Sequence, residues 1–497
     1  MKKTIAGILL LLSFYPGQAQ DKTPLGSPVN TALGEESKPS LNGNGRIILF
    51  ESLSSNEDKS EFVISYQKGG AWSRPEAIPA LSTPGKLQMI FAPYLSYSGN
   101  TIFYSSPKYG GVGGKDIYFI EKTASGWSAP NNLAKPVNSI GDETDPSLSA
   151  DEKYLYFARA TEKKTPSGEP CYKILVSERR AKNQWKDPVE LPSPVNMGCD
   201  CNPRILADGK SLLFASIRPG GKGDFDLYLT KMDDNGKWSE PVALDFINTD
   251  KDDRYASIPA NGNIIYTGAP AKVGTDIVKT KIPDKFEIGK VVLINGNLTD
   301  ATTNKPIDGK IWITTLSDNK IYAVYPSFDG SYTIILPYGE KYDIAYLPNA
   351  KGYSFGSAYY DLSQPDSYKE VRSDVKLKAL TPGISFIANN ISFSSDTSIE
   401  NISTTDINRI NKLIKDNPTL KLEAGIYADI PDITLDDSLQ TSVPDSAAIE
   451  KFIQALQTAL TNGGIATDKI TIKVYPSLSD LPKEIEPRKP VVMIKSY

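Results

Sequence analysis

Short apolar runs alternate with polar turns through the first half of the chain, and the pattern repeats. Four tryptophans mark the repeat at positions 72, 127, 185 and 238, spaced 55, 58 and 53 residues apart. Between them lie a turn-bounded pair of apolar runs, such as "PSLSADEKYLYFA" (146–158), and a third run, such as "FDLYLTK" (225–231). Four short antiparallel strands per unit indicate the blades of a β-propeller.

The beginning of the chain repeats only the end of a unit. Residues 25–30, "LGSPVN", match the "LAKPVN" of 133–138, which follows a tryptophan segment. Five units begin near residues 35, 90, 142, 199 and 251, and the fifth has no tryptophan segment of its own. We therefore predict a five-bladed propeller over residues 21–288, closed by its N-terminal strand, which leaves no sheet edge exposed.

These units resemble the WD40-like repeats of exported bacterial propellers, and "PRILADGKSLLFASIRPGGKGDFDLYL" (203–229) is the best match. The resemblance implies a fold and not a function. Asp116, Asp226 and Asp276 recur before the third strand of a unit. Their repetition favours a turn-capping role, with calcium binding as the alternative.

A second domain is predicted over residues 289–380. Alternation in "SYTIILP" (331–337) and "KYDIAYL" (341–347) indicates a small β-sandwich. The segments "INGNLTDATTNKPI" (294–307) and "DGSYTIILPYGEKY" (329–342) resemble the regulatory-like domain of carboxypeptidases, which implies a non-catalytic spacer. Trp312, Tyr322 and Tyr325 are either core and surface aromatics of the strands or glycan-binding residues.

The third domain, residues 381–497, mixes helices with strands. Apolar Ile407, Ile410, Leu413 and Ile414 follow helical spacing, and "DSAAIEKFIQALQTALTNGG" indicates a second helix that stops at the glycine pair. Several alternating runs, including "TLKLEAGIYAD", indicate strands. The expected fold is α+β, with two helices on a small mixed sheet.

The segment "NNISFSSDTSIENISTTDINRINKLIKDNPTLKLEAGIYAD" resembles the C-terminal, peptidoglycan-binding domain of the OmpA family. That resemblance implies a diaminopimelate site in which an anion and a cation face the ligand's zwitterionic end. Asp429 matches the family's aspartate and Tyr427 lies in the same motif, but the family's arginine position falls near Ala448. Arg488 and Lys489 are the candidate replacements. The domain is therefore expected to be degenerate.

The chain of 497 residues contains no histidine, and its formal net charge is −4. The first fact excludes a Ser-His-Asp site and a His-ligated metal, and the second argues against nucleic acid as a partner. No metal or other cofactor is expected. Of the three cysteines, Cys171 can pair with either Cys199 or Cys201, and free buried thiols are the alternative.

The first 20 residues have the pattern of a signal peptide: Lys2 and Lys3, an apolar run, and small residues before a cleavage site. No cysteine follows the run, so a lipid anchor is not indicated, and no later stretch is long and apolar enough for a membrane helix. We expect an exported, periplasmic protein associated with the outer membrane.

The order of the three domains resembles exported, outer-membrane-associated proteins of Bacteroidota, including components of the type IX secretion system. The resemblance implies a non-catalytic scaffold that links an envelope protein complex to peptidoglycan. Three binding-type modules and the absence of histidine favour that function over an enzyme. The alternative is a glycan-binding or carboxylate-dependent glycan-processing propeller, with an Asp/Glu pair at its central mouth.

Overall fold

A computed structural model describes residues 22–54, 60–81, 89–107, 111–388, 391–393, 399–402, 404–427, 446–475, 479 and 491–496. Five antiparallel sheets form the first half of the chain. The strands of blades 1 and 2 are β1 (Thr23–Pro24, which joins blade 5), β2 (Gly34–Leu41), β3 (Ile47–Ser54), β4 (Ser60–Lys68), β5 (Ala71–Trp72), β6 (Glu76–Ala77), β7 (Phe91–Leu95), β8 (Thr101–Ser106), β9 (Asp116–Thr123), β10 (Gly126–Trp127) and β11 (Asn131–Asn132).

Blades 3 to 5 repeat the arrangement. Their strands are β12 (Glu143–Leu148), β13 (Tyr154–Lys164), β14 (Pro170–Ala181), β15 (Gln184–Trp185), β16 (Val189–Glu190), β17 (Cys199–Ile205), β18 (Ser211–Ile217), β19 (Asp226–Lys231), β20 (Val242–Ala243), β21 (Ile264–Pro270) and β22 (Thr275–Lys281). In each of blades 1 to 4 the innermost strand contains a bulge, where the pairing register shifts. The prediction of a mainly β chain that begins with a β-propeller is confirmed.

The N-terminal residues complete the last blade. Strand β1 pairs antiparallel with β22, with Thr23 opposite Lys279. The Asn30 side chain then donates to the Ile277 carbonyl and accepts from the Ile277 amide, both at 2.9 Å. Asn138, Asn196 and Asn248 make the same two bonds to Ile117, Ile174 and Leu227 in other blades. The predicted pairing of the chain start with the fifth blade is therefore confirmed.

Side chains fill the centre of the ring. Arg204 of blade 4 is 4% exposed and donates to the carbonyls of Pro93 and Pro146 in two other blades. The buried Tyr97 hydroxyl of blade 2 donates to the Ile205 carbonyl of blade 4. These contacts tie non-adjacent blades together across the axis. They also leave the central channel packed at this level.

Eight strands in two four-stranded sheets follow the propeller: β23 (Val291–Asp300), β24 (Gly309–Thr315), β25 (Ile321–Val324), β26 (Ser331–Pro337), β27 (Glu340–Pro348), β28 (Gly356–Leu362), β29 (Lys369–Arg372) and β30 (Val375–Leu377). The two sheets share one apolar core. Leu293 and Ile335 pack on the propeller beside the inner hairpin turns of Tyr97 and Ala207. Gly43 is needed in a third such turn, because a Cβ there would meet the Tyr97 carbonyl and Leu293 at 3.0 and 3.1 Å.

The last part of the chain has a four-stranded sheet in the order β31-β36-β34-β35. Its elements are β31 (Ser385–Ile387), β32 (Ile391–Phe393), β33 (Ile399–Ile402), α1 (Thr404–Asp416), β34 (Leu422–Tyr427), α2 (Ser446–Asn462), β35 (Ile470–Tyr475) and β36 (Val491–Ser496). Helix α1 buries Ile407, Ile410 and Ile414. Arg409 on its other side pairs with the buried Asp343 of β27 and with Asp406, which fixes the helix to the preceding sheet.

A disulfide joins Cys171 to Cys199, and Cys201 is free and buried. The bridge links the third strand of blade 3 to the inner strand of blade 4. Neither helix in the described part of the chain is long and apolar enough to span a membrane.

Candidate functional site

The residues named from the OmpA resemblance are mostly outside the described part of the chain. Asp429, Arg488 and Lys489 fall there, so the predicted ligand pair stays a prediction. Tyr427 is described and is 9% exposed. Its ring stacks on Tyr475 with centroids 4.3 Å apart, and Met493 packs beside the pair. This geometry gives Tyr427 a packing role within the sheet.

The recurring aspartates before the third strand do not all behave alike. Asp116 accepts the amides of Val112 and Gly113, and Asp226 accepts those of Lys222 and Gly223. Both therefore cap the glycine-containing turn that precedes their strand. Asp276 makes no such bond among the described residues, and it is half-buried at the edge of a cavity.

A buried acid recurs near the start of the inner strands. In blade 3, Glu143 accepts the Ser139 amide and pairs with Arg159 at 2.7 Å. In blade 4, Asp200 accepts the Gly198 amide and pairs with Arg218 at 2.9 Å. In these two blades an arginine neutralises the buried carboxylate, which removes most of the cost of burying it.

The first blade keeps the acid and lacks the arginine. Glu36 is fully buried, and it accepts the Thr31 amide at 3.1 Å and the Thr31 hydroxyl at 2.8 Å. Glu36 lies opposite Ser52, whereas Glu143 lies opposite Arg159. Ser52 is in turn opposite Glu61 on β4, so the three residues form one row across three strands. No cation pairs with Glu36 among the described residues.

The neighbouring blade adds a like charge. At the junction of blades 3 and 4, Lys173 of the third strand faces Asp200 at 3.8 Å. At the ring closure the position of Lys173 is occupied by Asp276, which faces Glu36. Burial raises the pKa of Glu36, partly opposed by its bonds to Thr31, and the negative charge of Asp276 raises it further. The environment therefore favours the protonated form of this carboxyl.

Glu36, Glu61 and Asp276 line one cavity of about 760 Å³ between the closing blade and blade 1. Residues 26–32 form one wall, Phe50 lies on the floor, and the exposed Arg74 stands at the edge. No group of three or more acidic or sulfur ligands among the described residues could hold a metal ion. We call this space the closure cleft.

The closure cleft opens on the face of the propeller away from the β23–β30 sheets. Inner strand β2 begins beside Glu36 and ends at the turn of Gly43, which touches Leu293 of the other face. Two half-buried carboxyl groups, Glu61 and Asp276, and the buried carboxyl of Glu36, whose pKa is raised, thus meet in an accessible cavity. Such a set can donate a proton to one atom of a substrate and activate water at another.

Sequence reasoning missed this cleft, because it placed an acid pair at the central mouth, where Tyr97 and Arg204 fill the channel at the level of the inner strands. Comparison of the repeats places Ser52 at the position of Arg159, but this signal is weak because Arg218 neutralises the equivalent Asp200 from a different position. Two further expectations concern the aromatics of the second sheet. Trp312 is 39% exposed in a groove, whereas Tyr322 packs on the core. The Tyr325 ring lies near the Lys182 ammonium.

No protein-family model and no curated protein sequence matches the chain. Among solved structures, an α-L-arabinofuranosidase from Lactobacillus brevis is 14% identical with a TM-score of 0.36, covering 51% of this chain and 93% of its own. An endo-arabinase from Bacteroides thetaiotaomicron is 19% identical with a TM-score of 0.38, at 54% and 98% coverage. The catalytic domain of a Coprinopsis cinerea α-L-arabinofuranosidase is 13% identical with a TM-score of 0.36, at 53% and 97% coverage.

The propeller assignment rests on the strand pairing described above. The comparison contradicts two expectations from the sequence: that the protein is a non-catalytic scaffold, and that it is not an enzyme. The similar structures are arabinofuranosidases and an arabinase by name. The absence of histidine does not conflict with such chemistry, because two carboxyl groups suffice for glycoside hydrolysis.

Proposed function

We propose that this protein is a carboxylate-dependent glycan-processing enzyme, and that the closure cleft is its active site. The observation that carries the proposal is the row of Glu36, Ser52 and Glu61 facing Asp276 in one cavity. In blades 3 and 4 the corresponding acids are neutralised by arginine. At the ring closure no arginine pairs with the corresponding Glu36 among the described residues, which leaves the cleft and its half-buried acids without that neutralising charge.

Glycoside hydrolysis needs one carboxyl group to protonate the leaving oxygen and a second to act as base or nucleophile. Asp276 and Glu61 are the two half-exposed candidates for these roles. Glu36 is fully buried and acts as a positioning residue beside Asp276; burial and the neighbouring negative charge raise its pKa.

The strand geometry sets the scale of the site. Neighbouring strands lie about 4.8 Å apart, so the backbones of Glu36 and Glu61 are separated by about 10 Å across Ser52. Asp276 and Glu61 line the same cavity of about 760 Å³, which has room for a sugar ring beside these two acids.

The test is a hydrolysis screen with the purified protein. The probes include α-1,5-arabinan, aryl α-L-arabinofuranosides and xylo-oligosaccharides. Replacing one member of an acid/base pair typically lowers turnover by about 10²- to 10⁴-fold, so we expect Asp276→Asn and Glu61→Gln each to do so. The matched control is Glu76→Gln, which changes an exposed acid of the same blade outside the cavity.

The pH profile distinguishes the two roles, because loss of the general acid removes the alkaline limb and loss of the base removes the acidic limb. Absence of turnover on every glycan, or turnover that Asp276→Asn and Glu61→Gln leave unchanged, would contradict the proposal.

Three further proposals rest on sequence alone. We propose that residues 1–20 direct export, that residues 289–380 are a carboxypeptidase-regulatory-like domain, and that residues 381–497 are OmpA-like. Localisation of the full chain in cell fractions tests the first. Titration of the full chain with a diaminopimelate-containing fragment, with Asp429→Asn as the comparison, tests the ligand site implied by the third.

A further inference from the structure

Two cavities on the opposite side of the molecule form one groove. The first, of about 420 Å³, lies between the β24–β25 strands and helix α1, and the second, of about 270 Å³, lies between those strands and the outer turns of blade 3. Lys310, Trp312 and Ile321 line both. We call the combined space the Trp312 groove.

An uncovered indole stands at the middle of this groove. Trp312 lies on β24 with Ala323 opposite on β25 and Ala345 opposite on β27. Because both cross-strand neighbours carry only a methyl group, neither can cover the indole, and 39% of Trp312 is exposed. Flat, exposed aromatic faces in a groove suit the apolar C–H face of a sugar ring.

The groove is also strongly basic. Of the residues that the structure describes, eight basic and three acidic ones line it, in a chain whose net charge is −4. Several of the eight are already paired: Arg409 with Asp343, Lys412 with Asp416, and Lys182 with Glu121 are examples.

Three cations of the groove have no ion-pair partner among the described residues. They are Arg180 at the blade 3 end, Lys310 in the middle and Lys351 at the α1 end. The described groove therefore has unneutralised positive charge along its length, and this charge would attract an anionic chain.

We propose that the Trp312 groove binds an acidic oligosaccharide, one whose sugar rings carry carboxylates, running from the blade 3 turns to helix α1. Trp312 stacks on one ring. Lys310 and the cations at either end bind the carboxylates of that ring and its neighbours. The spacing of one aromatic and three cations along an elongated groove fits a polymer of repeating charge better than a single small anion.

This inference is independent of the cleavage proposed for the closure cleft. The groove touches the outer turns of blade 3 and the strands that follow the propeller, whereas the cleft opens on the other face. The two sites can therefore be tested separately. If both hold, the groove would retain a long substrate beside the enzyme.

The experiment is calorimetric titration of the full chain with an oligogalacturonate and with a neutral galacto-oligosaccharide of the same length. We expect the acidic ligand to bind more tightly, with an affinity that falls as salt is raised. Lys310→Met should weaken binding by about tenfold or more, since a bond to a charged group contributes at least that factor. Trp312→Ala should also weaken binding, because it removes the aromatic face on which a sugar ring stacks.

The matched controls are Tyr359→Ala, an exposed aromatic of the same sheet, and Lys305→Met, an exposed lysine of a nearby turn; neither lines the groove. Thermal unfolding checks that each variant is folded, and Glu61→Gln should bind like the wild type. Three outcomes would overturn the proposal. The neutral sugar could bind as tightly as the acidic one, or neither sugar could bind. Polyaspartate could also bind tightly, with an affinity that Trp312→Ala leaves unchanged.

Discussion

Installing the missing arginine in the closure cleft is the sharpest test of its chemistry. In blade 3 the Arg159 side chain bonds to Glu143 at 2.7 Å and to the Val137 carbonyl at 2.8 Å. Ser52 occupies the Arg159 position of the first blade, since it lies opposite Glu36. The change Ser52→Arg should therefore place a guanidinium against Glu36.

The expected stabilisation can be worked out from these bonds. Two hydrogen bonds that involve a charged group contribute roughly 1.5–3 kcal/mol each. Ordering a long side chain costs about 2 kcal/mol in lost conformational entropy. The net gain in the free energy of unfolding should therefore be roughly 1–4 kcal/mol near neutral pH, where the carboxylate beside the guanidinium is ionised.

The pH dependence has a definite sign. In the wild type the folded-state pKa of Glu36 is raised, so its contribution to stability is lost as pH rises from the unfolded value towards the folded one. With Ser52→Arg the folded-state pKa should fall below the unfolded value. In the variant, the contribution of Glu36 to the free energy of unfolding is present above its unfolded-state pKa and is lost as pH falls through its folded-state pKa. The stability difference between variant and wild type should grow as pH rises from about 4 to 7.

Urea unfolding at pH 4 and pH 7 measures this difference, with Ser52→Met as a control that fills space without charge. Turnover should be abolished in Ser52→Arg, because the guanidinium occupies the cavity between the acids. A Ser52→Arg protein no more stable at pH 7 than Ser52→Met would refute the argument that Glu36 lacks a cation.

Three further predictions concern the fold that holds the cleft. Asn30→Ala should lower the free energy of unfolding by about 2–4 kcal/mol, because it leaves two buried backbone groups without partners. Urea unfolding measures this loss, and Asn138→Ala should show the same one. An Asn30→Ala protein as stable as the wild type would contradict the role of Asn30 in closing the ring. Arg409→Met should destabilise by about 3–5 kcal/mol, because it removes the cation that pairs with the buried carboxylates of Asp343 and Asp406. Faster proteolysis between the second and third parts of the chain would report this loss, and an unchanged rate would argue against it. Joint replacement of Cys171 and Cys199 by serine should lower propeller stability by about 3–4 kcal/mol, with the wild type under reductant as the comparison.

The repeat pattern was sufficient for the blades and for their closure. Tryptophans at regular spacing mark the blades, and the "PVN" tail at the chain start predicts that this segment completes the last blade, where Asn30 bonds to Ile277. Periodicity also indicated the buried face of helix α1. These features depend on residues that are close in sequence or that recur in each repeat, so the pattern of one blade predicts the structure of the others.

The closure cleft could not be found in this way, because it is a departure from the repeat. Arg159 and Arg218 neutralise equivalent acids from different positions: one is directly across the strand pair, and the other lies two residues beyond Ser216. A simple comparison of repeats therefore gives no fixed arginine position. The central channel was misjudged for a related reason, since Tyr97 and Arg204 fill it from loops and bulges that strand periodicity does not describe.

The cleft and the ring closure depend on the same short segment. Thr31 donates hydrogen bonds to both carboxyl oxygens of Glu36, and the side chain of the adjacent Asn30 bonds to the backbone of Ile277, next to Asp276. The segment thus brings two like-charged acids from opposite ends of the propeller sequence into one cavity, an arrangement that costs stability and is typical of functional sites. A ligand that bridges Asp276 of the last blade and Glu61 of the first blade should stabilise the closed ring, because it contacts both blades. Binding in the cleft should therefore protect the β1–β22 pairing from hydrogen exchange, and a glycan that is cleaved without such protection would locate the chemistry elsewhere.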